Sequence, residues 1–399
     1  MKFKIKATYL KRLKLLLKSK LNGGNLFLAI NSWAVAVIRY SAAFIEWTKN
    51  ETQDLERQTR KLLVQNHALH PKSNVLRVYM RRKEGGRGLI SVEECWANEL
   101  RSLHHYLANS EEMLLKSVAT EEELDKDQIE SKEEYNKRLA IEIKKEMENM
   151  KLHGQFERDT KEIKGSESWN WLSKGNLKRE TENLLMAAQE QALNTNSVKR
   201  NIYGLDVSDR CRLCGNNVES VTHIVSACSI LAQKDYKRRH DKVCLNLHWN
   251  LCKKYGISVE ERWYHHKPEA VIENQIVKLL WDFNIQTDRK IEHRRPDIVV
   301  VDKQVNKCFI VDVANPGDQN LIKKKFEKLD NYAELRLEIA RIWNKETIII
   351  PVIIGALGST PKDLHFYLKQ LGIPYELNTL QQSVVLGTAN IIRKVLSMK

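Results

Sequence analysis

The chain has 399 residues, of which 42% are hydrophobic and nine are Trp, so it is long and apolar enough for two or three folded domains rather than a disordered chain. Its formal net charge is +15; residues 111–134 hold ten acidic and three basic residues, which leaves +22 for the rest and favours a polyanionic partner. No segment approaches the roughly 18 apolar residues of a membrane span, so we expect no membrane partner.

A basic helix is predicted at the amino terminus. The first twenty residues contain eight Lys or Arg and no acidic residue, with Leu side chains between them. A transit peptide has a similar composition, but no small-residue cleavage site follows, so we interpret the segment as a helix that lies on a nucleic acid backbone. Helical patterns continue to about residue 110, interrupted by the Gly-rich segment Lys83–Gly88, which we interpret as a turn. We therefore expect a mostly α-helical region at 1–110.

A charged, helix-favouring region is predicted at 111–200. Charges of opposite sign recur three and four residues apart, which is typical of an exposed helix. Within this region Trp169 and Trp171 precede the Ala-rich segment Thr181–Leu193, and we expect these aromatic rings to pack rather than to stack on bases. We interpret the whole region as a helical connector.

A zinc knuckle is predicted in a small module at 201–256. Cys211 and Cys214 have the Cys-x2-Cys spacing, and His223 and Cys228 follow within eighteen positions of Cys211. Three thiolates and one imidazole form a suitable tetrahedral ligand set for Zn²⁺. Because residues five apart on an α-helix lie about 140° apart around the axis, the helix that carries His223 and Cys228 must partly unwind. Ordinary buried cysteines are the alternative, and four further residues compete as ligands without the knuckle spacing: Cys244, Cys252, His240 and His248.

The cysteine usage and the basic residues near the knuckle suggest the environment of the protein. Seven cysteines, three of them at metal-ligand spacing, favour a reducing compartment such as the nucleus or the cytosol over a disulfide framework. A basic run follows the knuckle, and its two interpretations are phosphate contacts or a solvated basic face. The run comprises Lys234, Lys237, Arg238, Arg239 and His240.

An α/β domain is predicted at 268–375, followed by a carboxy-terminal tail at 376–399. Apolar residues at helical spacing predict helices, and short β-branched runs predict strands. The predicted fold is a mixed sheet with helices on its faces. In chain order, its elements are a helix at 268–283, a strand near 285–291, a hairpin of strands 298–301 and 308–311, a helix at 321–343 and a strand at 347–354.

Two carboxylates are predicted to meet at one end of this hairpin. Asp297 opens the first strand and Asp312 closes the second, so antiparallel pairing places them at the same end. Oxygen ligands favour Mg²⁺ or Mn²⁺ over Zn²⁺. A divalent ion held there would activate a phosphodiester for hydrolysis. The alternative is that Asp297 is a turn residue and Asp312 a strand-end cap.

Phosphodiester hydrolysis usually also needs a cation near the developing charge, and a third acidic ligand could complete the ion site. Position 314, two residues after Asp312, is Ala, so either the site is catalytically dead or the cation comes from elsewhere. The following helix offers Lys328 as the first candidate and Lys324 as the second. Glu273, on the predicted helix at 268–283, is a candidate third acidic ligand, with Glu269 one turn earlier. Surface positions are the alternative for these lysines and glutamates.

Several segments of the sequence resemble the carboxy-terminal region of non-LTR retrotransposon polyproteins that carry a restriction-enzyme-like endonuclease. CRLCGNNVESVTHIVSAC corresponds to the Cys-Cys-His-Cys knuckle of that family, RRPDIVVVDK and FIVDVANPGD to the endonuclease core, and KKKFEKLDNYAELRLEIARIW to its lysine-bearing helix. The segment Trp33–Leu107 resembles the thumb and linker that follow the reverse transcriptase in such elements. The resemblance covers most of the chain.

The resemblance implies a nuclear endonuclease that nicks target DNA, whose new 3′ hydroxyl primes reverse transcription of the element's RNA. It implies that Asp297 and Asp312 bind the catalytic metal and that the lysine lies on the helix; Asn331 departs from the lysine usual before the tyrosine matched by Tyr332. No Phe/Tyr-x-Asp-Asp polymerase motif occurs in the sequence, so we expect a truncated element product. The competing interpretations are a catalytically silent nucleic-acid-binding fragment and a protein-interaction scaffold.

Overall fold

The computed structural model describes residues 1–121 and 130–398, which divide into two compact units. The first unit comprises residues 1–155 and 176–192, and the second comprises residues 156–175 and 193–399. The expected connector at 111–200 is therefore not a separate region, although its residues 122–129 lie outside the described part. The charge pattern of 111–200 predicts exposed helix surface, but it does not show which core the apolar residues of this region join. Trp169 and Trp171 are buried, as expected, and belong to the second unit.

The described residues are mostly helical, with one five-stranded sheet. The strands are β1 (Val271–Glu273), β2 (Val277–Trp281), β3 (Ile298–Asp302), β4 (Lys307–Ala314) and β5 (Glu346–Ile353). The α-helices are α1 (Lys2–Leu17), α2 (Gly23–Ala29), α3 (Ala36–Ser41), α4 (Lys49–Gln65), α5 (Val75–Tyr79), α6 (Val92–Asn109), α7 (Met113–Glu121), α8 (Lys132–Asn149), α9 (Gln155–Thr160), α10 (Asn170–Ser173), α11 (Arg179–Gln189), α12 (Asn196–Asn201), α13 (Ser229–Leu231), α14 (Lys237–Lys254), α15 (Leu321–Asn331), α16 (Ala333–Trp343), α17 (Leu364–Gln370) and α18 (Leu377–Ser397).

The first unit is a helical assembly around one apolar core. The basic amino-terminal segment is helix α1, as expected, and its Tyr9, Leu13 and Leu17 are buried in this core. Helix α4 begins with a capping box, in which Thr48 and Glu51 satisfy each other's free backbone N–H groups. The Gly-rich segment is a turn, since Gly85 and Gly88 adopt positive φ angles of 93° and 74° that glycine tolerates.

The sheet of the second unit has the order β1-β2-β3-β4-β5. Strands β1 to β4 pair antiparallel with one another, and β5 pairs parallel with β4. Because successive side chains on a strand point to opposite faces, Ile298 and Val300 pack against α14, α17 and α18, whereas Val299 and Val301 pack against α16. An α/β fold with a mixed sheet is therefore confirmed, as is the predicted hairpin of β3 and β4.

The predicted helix at 268–283 is wrong, because this segment forms the hairpin of β1 and β2. Its apolar spacing suited a helix face, but the Asn274 side chain accepts hydrogen bonds from the backbone N–H groups of Ile276 and Val277 and turns the chain. The strand expected near 285–291 is also absent, since these residues form neither strand nor helix. Ile285 and Ile291 are nevertheless buried. Their apolar side chains therefore reflect burial in the core and not pairing in a strand.

The elements after β4 are close to those expected. The helix predicted at 321–343 is divided at Tyr332 into α15 and α16, and the last strand, β5, begins at Glu346 rather than Thr347. The expected tail at 376–399 is instead the long helix α18, whose Leu380 and Val384 are buried in the core of the second unit. The tail prediction was wrong because the apolar residues of this segment recur at helical spacing.

Arg239 on α14 is buried and forms hydrogen bonds to three different parts of the second unit. Its guanidinium donates hydrogen bonds to Val225 O at 2.8 Å, Thr388 Oγ1 at 2.9 Å and Asn315 O at 3.0 Å. These acceptors belong to the cysteine-containing module, to α18 and to the loop after β4. The side chain, 2% exposed, thus links three parts of the fold.

Replacing Arg239 with Met is expected to destabilise the second unit. The change leaves buried carbonyl acceptors without a donor, which costs about 3 kcal/mol in the free energy of unfolding. The neighbouring Arg238 is exposed, so Arg238→Met is the matched control and should change stability by less than about 0.5 kcal/mol. Urea midpoints report the difference. Equal midpoints for the two variants would contradict the role assigned to Arg239.

Candidate active site and metal centres

The carboxylates Asp297 and Asp312 lie beside each other at one end of the sheet. Ile298 is opposite Val311 in the antiparallel register, so the two aspartates occupy the next row. Asp297 Oδ2 accepts a hydrogen bond of 2.7 Å from the backbone N–H of Val313, which holds this carboxylate against β4. Asp312 is 3% exposed. The structure thus brings the two predicted metal ligands together.

Helix α15 and the residue after it supply Asp312 with an ion pair and a hydrogen bond. Lys328 Nζ lies 2.6 Å from Asp312 Oδ2, and the Tyr332 hydroxyl donates to Asp312 Oδ1 at 2.7 Å. Residues four apart lie on the same side of a helix, which explains why both side chains reach one carboxylate. Lys324, one turn earlier, is instead paired with Glu327 at 2.5 Å. Of the two predicted lysines, only Lys328 contacts the carboxylate pair.

The charges of this group depend on one another. Burial, together with the charge of Asp297, raises the pKa of Asp312. Burial acts against the ammonium of Lys328, but the charge of Asp312 raises the pKa of Lys328 above its usual range. Two carboxylates in a site of limited hydration are stabilised by any cation placed between them. Lys328 provides a cation beside Asp312.

His240 is a member of the site that the sequence did not single out for this role. From α14 its Nε2 lies 3.2 Å from Asp297 Oδ2 and 3.2 Å from Val313 O. Two acceptors require that Nε2 carries a proton. Burial opposes the charged form, but the bond to Asp297 raises the pKa of His240 to about 9. In the sequence His240 is a residue of the basic run and a competing zinc ligand, and its distance of 57 positions from Asp297 gives no signal of this contact.

Glu273 does not belong to this site. It lies on the edge strand β1, where it pairs with Lys303 at 2.6 Å and Lys278 at 3.4 Å. Its row of the sheet contains Val301, four residues along β3 from Asp297, which is about 13 Å at the rise of a strand. The expectation of a third acidic ligand failed because it assumed a helix at 268–283.

A basic cleft of about 670 Å³ lies beside the carboxylates. His240 and Lys328 are part of its wall, and Lys324 lies on the same wall as Lys328. Glu327 is the acidic residue of the lining, so the cleft carries an excess of positive charge that attracts an anionic ligand. The other basic residues of the lining are Lys237, Arg239 and Lys323.

The four predicted zinc ligands form one cluster that could hold a metal ion. The ligand atoms of Cys211, Cys214, His223 and Cys228 all lie within 4.8 Å of one another. The Cys211 and Cys228 sulfurs are 4.0 Å apart, and Cys214 Sγ is 3.4 Å from His223 Nε2. Tetrahedral coordination at ordinary zinc distances gives about 3.8 Å and about 3.5 Å for these two kinds of pair. The spacing therefore suits a four-ligand site.

The unwinding expected between His223 and Cys228 takes the form of a π-helical turn at His223–Ala227. Its i→i+5 hydrogen-bond pattern brings residues five apart toward one side of the turn. The Tyr236 hydroxyl lies 3.0 Å from His223 O and 2.8 Å from Ile224 O, and it receives the Cys228 N–H at 3.1 Å. These contacts hold the turn in place.

The competing ligand candidates lie in two other groups. His240 and Cys244 are close to Asp297, and His248 and Cys252 are close to His266. None of the four belongs to the cluster around Cys211. The choice of knuckle ligands from spacing therefore agrees with the arrangement of side chains.

Comparison with protein families finds no matching family, and no curated protein matches the chain. Among the described residues, no helix is both long and apolar enough to cross a membrane.

Proposed function

We propose that this chain is a metal-dependent DNA endonuclease that nicks its substrate. The observation that carries the proposal is the placement of Asp297 and Asp312 in one row of neighbouring strands, with Lys328 Nζ 2.6 Å from Asp312, at the edge of a basic cleft. Paired carboxylates with a neighbouring cation form an arrangement suited to phosphodiester hydrolysis.

The oxygen atoms of the site suit Mg²⁺ or Mn²⁺. Asp297 and Asp312 lie in one row of neighbouring strands and each supplies carboxylate oxygens, while His240 Nε2 lies 3.2 Å from Asp297 Oδ2 and from Val313 O. Asp312 adds a carboxylate of raised pKa, which a cation would stabilise. Both carboxylates supply oxygens, the type of ligand that Mg²⁺ and Mn²⁺ prefer. When bound, the ion would polarise the phosphate to be cut.

The side chains around the carboxylates have separate tasks in this proposal. Lys328 stabilises negative charge that develops on the phosphate, and Tyr332 orients Asp312 through its hydrogen bond of 2.7 Å. The His240 N–H fixes the position of Asp297. The basic residues of the cleft hold the DNA backbone by charge, which makes binding dependent on salt.

The resemblance to retrotransposon endonucleases supports the same activity. In such elements the nick supplies the 3′ hydroxyl that primes reverse transcription, which makes DNA the substrate and the element's RNA a candidate partner in the nucleus. The sheet order, with β5 parallel to β4, is compatible with the restriction-enzyme-like fold that we propose. Since no Phe/Tyr-x-Asp-Asp polymerase motif occurs in the sequence, we propose only the nicking step for these residues.

We also infer that the cluster of Cys211, Cys214, His223 and Cys228 holds a structural Zn²⁺. Three thiolates and one imidazole are borderline-soft ligands that select zinc over magnesium. A closed set of four protein ligands leaves no position for a substrate. The ion would therefore stabilise the module that forms one wall of the cleft, to which Ser226 and Ala227 contribute.

Incubation of the purified protein with supercoiled plasmid and Mg²⁺ tests the activity. We expect conversion to the nicked circle, and we expect a chelator to stop it. Protein that shifts the plasmid in a gel but nicks with neither Mg²⁺ nor Mn²⁺ would overturn the proposal. Protein that neither binds nor nicks would favour the protein-interaction scaffold.

One observation favours a silent nucleic-acid-binding fragment as the second candidate. Lys328 and His240 each contact one carboxylate of the pair, so the two acidic side chains are already partnered. In this interpretation the ion pairs are structural and the basic cleft only binds. The plasmid assay separates the two functions, because the silent fragment retains salt-dependent binding and shows no metal-dependent nicking.

Substitution of the two lysines distinguishes their roles. We expect Lys328→Met to lower the nicking rate by about 10², because the cation nearest the carboxylates is lost. Lys324→Met is the matched control one helical turn away, and we expect a loss of less than about threefold, since Lys324 is paired with Glu327. Initial rates of plasmid nicking report both. A larger loss in Lys324→Met than in Lys328→Met would assign the catalytic role to Lys324.

A further inference from the structure

A second cluster of potential metal ligands lies at the carboxy-terminal half of α14. His248 and Cys252 are four residues apart on this helix and therefore lie on one face, and His266 approaches them from the segment before β1. The ligand atoms of all three residues lie within 4.8 Å of one another. The cluster is buried: His248 and Cys252 are fully buried, and His266 is 8% exposed.

The distances in this cluster resemble those of a coordination site. Cys252 Sγ lies 3.6 Å from His248 Nδ1, close to the separation of about 3.5 Å for a thiolate and an imidazole on one tetrahedral zinc ion. His248 Nδ1 lies 2.8 Å from His266 Nε2. Two imidazole nitrogens on one zinc ion are about 3.3 Å apart, so a shift of about half an ångström would admit the ion.

The remaining contacts of His248 direct this side chain toward the cluster. Its Nε2 is buried and has no hydrogen-bond partner among the described residues. Its polar contacts are thus confined to His266 and Cys252. A metal ion bound at His248 Nδ1 would coordinate His266 Nε2 and the Cys252 thiolate as well, so that three polar groups buried in an apolar surrounding would share one cation.

We propose that His248, Cys252 and His266 form a second binding site for Zn²⁺ or a similar transition-metal ion, separate from the knuckle. One thiolate and two imidazoles are ligands that zinc accepts, and the fourth position is left to a water or a nearby carboxylate. The ring of His248 lies edge-on to Trp281, with the ring centroids 5.3 Å apart. Trp281 ends β2 and pairs with Ile298, next to Asp297. The ion would thus fasten α14 to the segment before β1, beside the Trp281 ring.

Metal content of the purified full chain tests this site. We expect about two equivalents of zinc in the wild type, one of which is lost in Cys252→Ser and in His266→Gln. His265→Gln is the matched control, because His265 is adjacent in sequence and exposed, and it should retain the wild-type content. Circular dichroism and gel filtration confirm that each variant is folded before its metal is counted.

Cobalt substitution gives an independent measure of the thiolates. Of the four thiolates in the two sites, Cys252→Ser removes one, so the thiolate-to-cobalt absorption should fall by about one quarter. If the wild type holds only one equivalent of zinc and Cys214→Ser loses it, all of the zinc belongs to the knuckle. This result would overturn the second site, and it does not depend on the folding of the Cys252 or His266 variants. Unchanged zinc content in folded Cys252→Ser and His266→Gln would overturn it equally.

Discussion

Replacing Asp312 with Asn should lower metal-dependent nicking by about 10³, because the variant loses the negative charge that binds the ion and pairs with Lys328. The amide oxygen of Asn can still accept the hydrogen bond from Tyr332, so the local structure is largely retained. Asp297→Ala should abolish nicking in the same way. The fraction of supercoiled plasmid converted with time, at equal protein concentrations, reports the nicking rate, and a gel shift reports DNA binding.

The control for these variants is a carboxylate at the other end of the same sheet. Glu346 begins β5 and pairs with Lys307 at 3.1 Å on the protein surface. Glu346→Gln should therefore nick at close to the wild-type rate. DNA binding should persist in Asp312→Asn, since the basic cleft is unchanged. Nicking by Asp312→Asn at the wild-type rate would show that any nuclease activity resides elsewhere in the chain.

Replacing Cys214 with Ser should remove one equivalent of zinc and strongly destabilise the second unit. Structural zinc contributes on the order of 10 kcal/mol of binding free energy at pH 7. A loss of even half that amount would lower the Tm of a unit of this size by about 10–20 °C. Zinc analysis and thermal unfolding followed by circular dichroism measure the two effects.

Cys95→Ala is the control for Cys214→Ser, because it removes a buried thiol that is not a proposed zinc ligand. Cys95 is a buried cysteine of the first unit, packed in its apolar core. Its replacement should cost about 1 kcal/mol through lost packing and leave the zinc content unchanged. A Cys214→Ser protein that keeps all of its zinc would contradict the assignment of this knuckle as a metal site.

The local parts of the candidate site could be predicted from the sequence. Asp297 and Asp312 flank a short hairpin, and Lys328 follows on a helix whose apolar spacing is regular, so neighbouring residues determine their placement. The knuckle has the same property, since its four ligands fall within eighteen positions. Such patterns depend on contacts over short distances along the chain.

The errors concern contacts that short patterns do not encode. Val271–Trp281 has apolar residues compatible with both a helix and two strands, and pairing with β3 decides in favour of strands. Glu273 was misplaced as a result. His240 reaches Asp297 only because α14 packs across the sheet, and this tertiary contact has no local signature. Helix α18 is the exception among these errors, because its apolar residues recur at helical spacing, which is a local pattern.

The path of the chain through the two units has a thermodynamic consequence. Residues 156–175 belong to the second unit, but both of their ends continue into the first. When the second unit unfolds while the first stays folded, this segment becomes a closed loop with fixed ends. Such a loop has less conformational entropy than a free chain, so the connectivity acts as a cross-link does on the unfolded state. A fragment that begins at Leu193 would lose this restraint together with the buried Trp171.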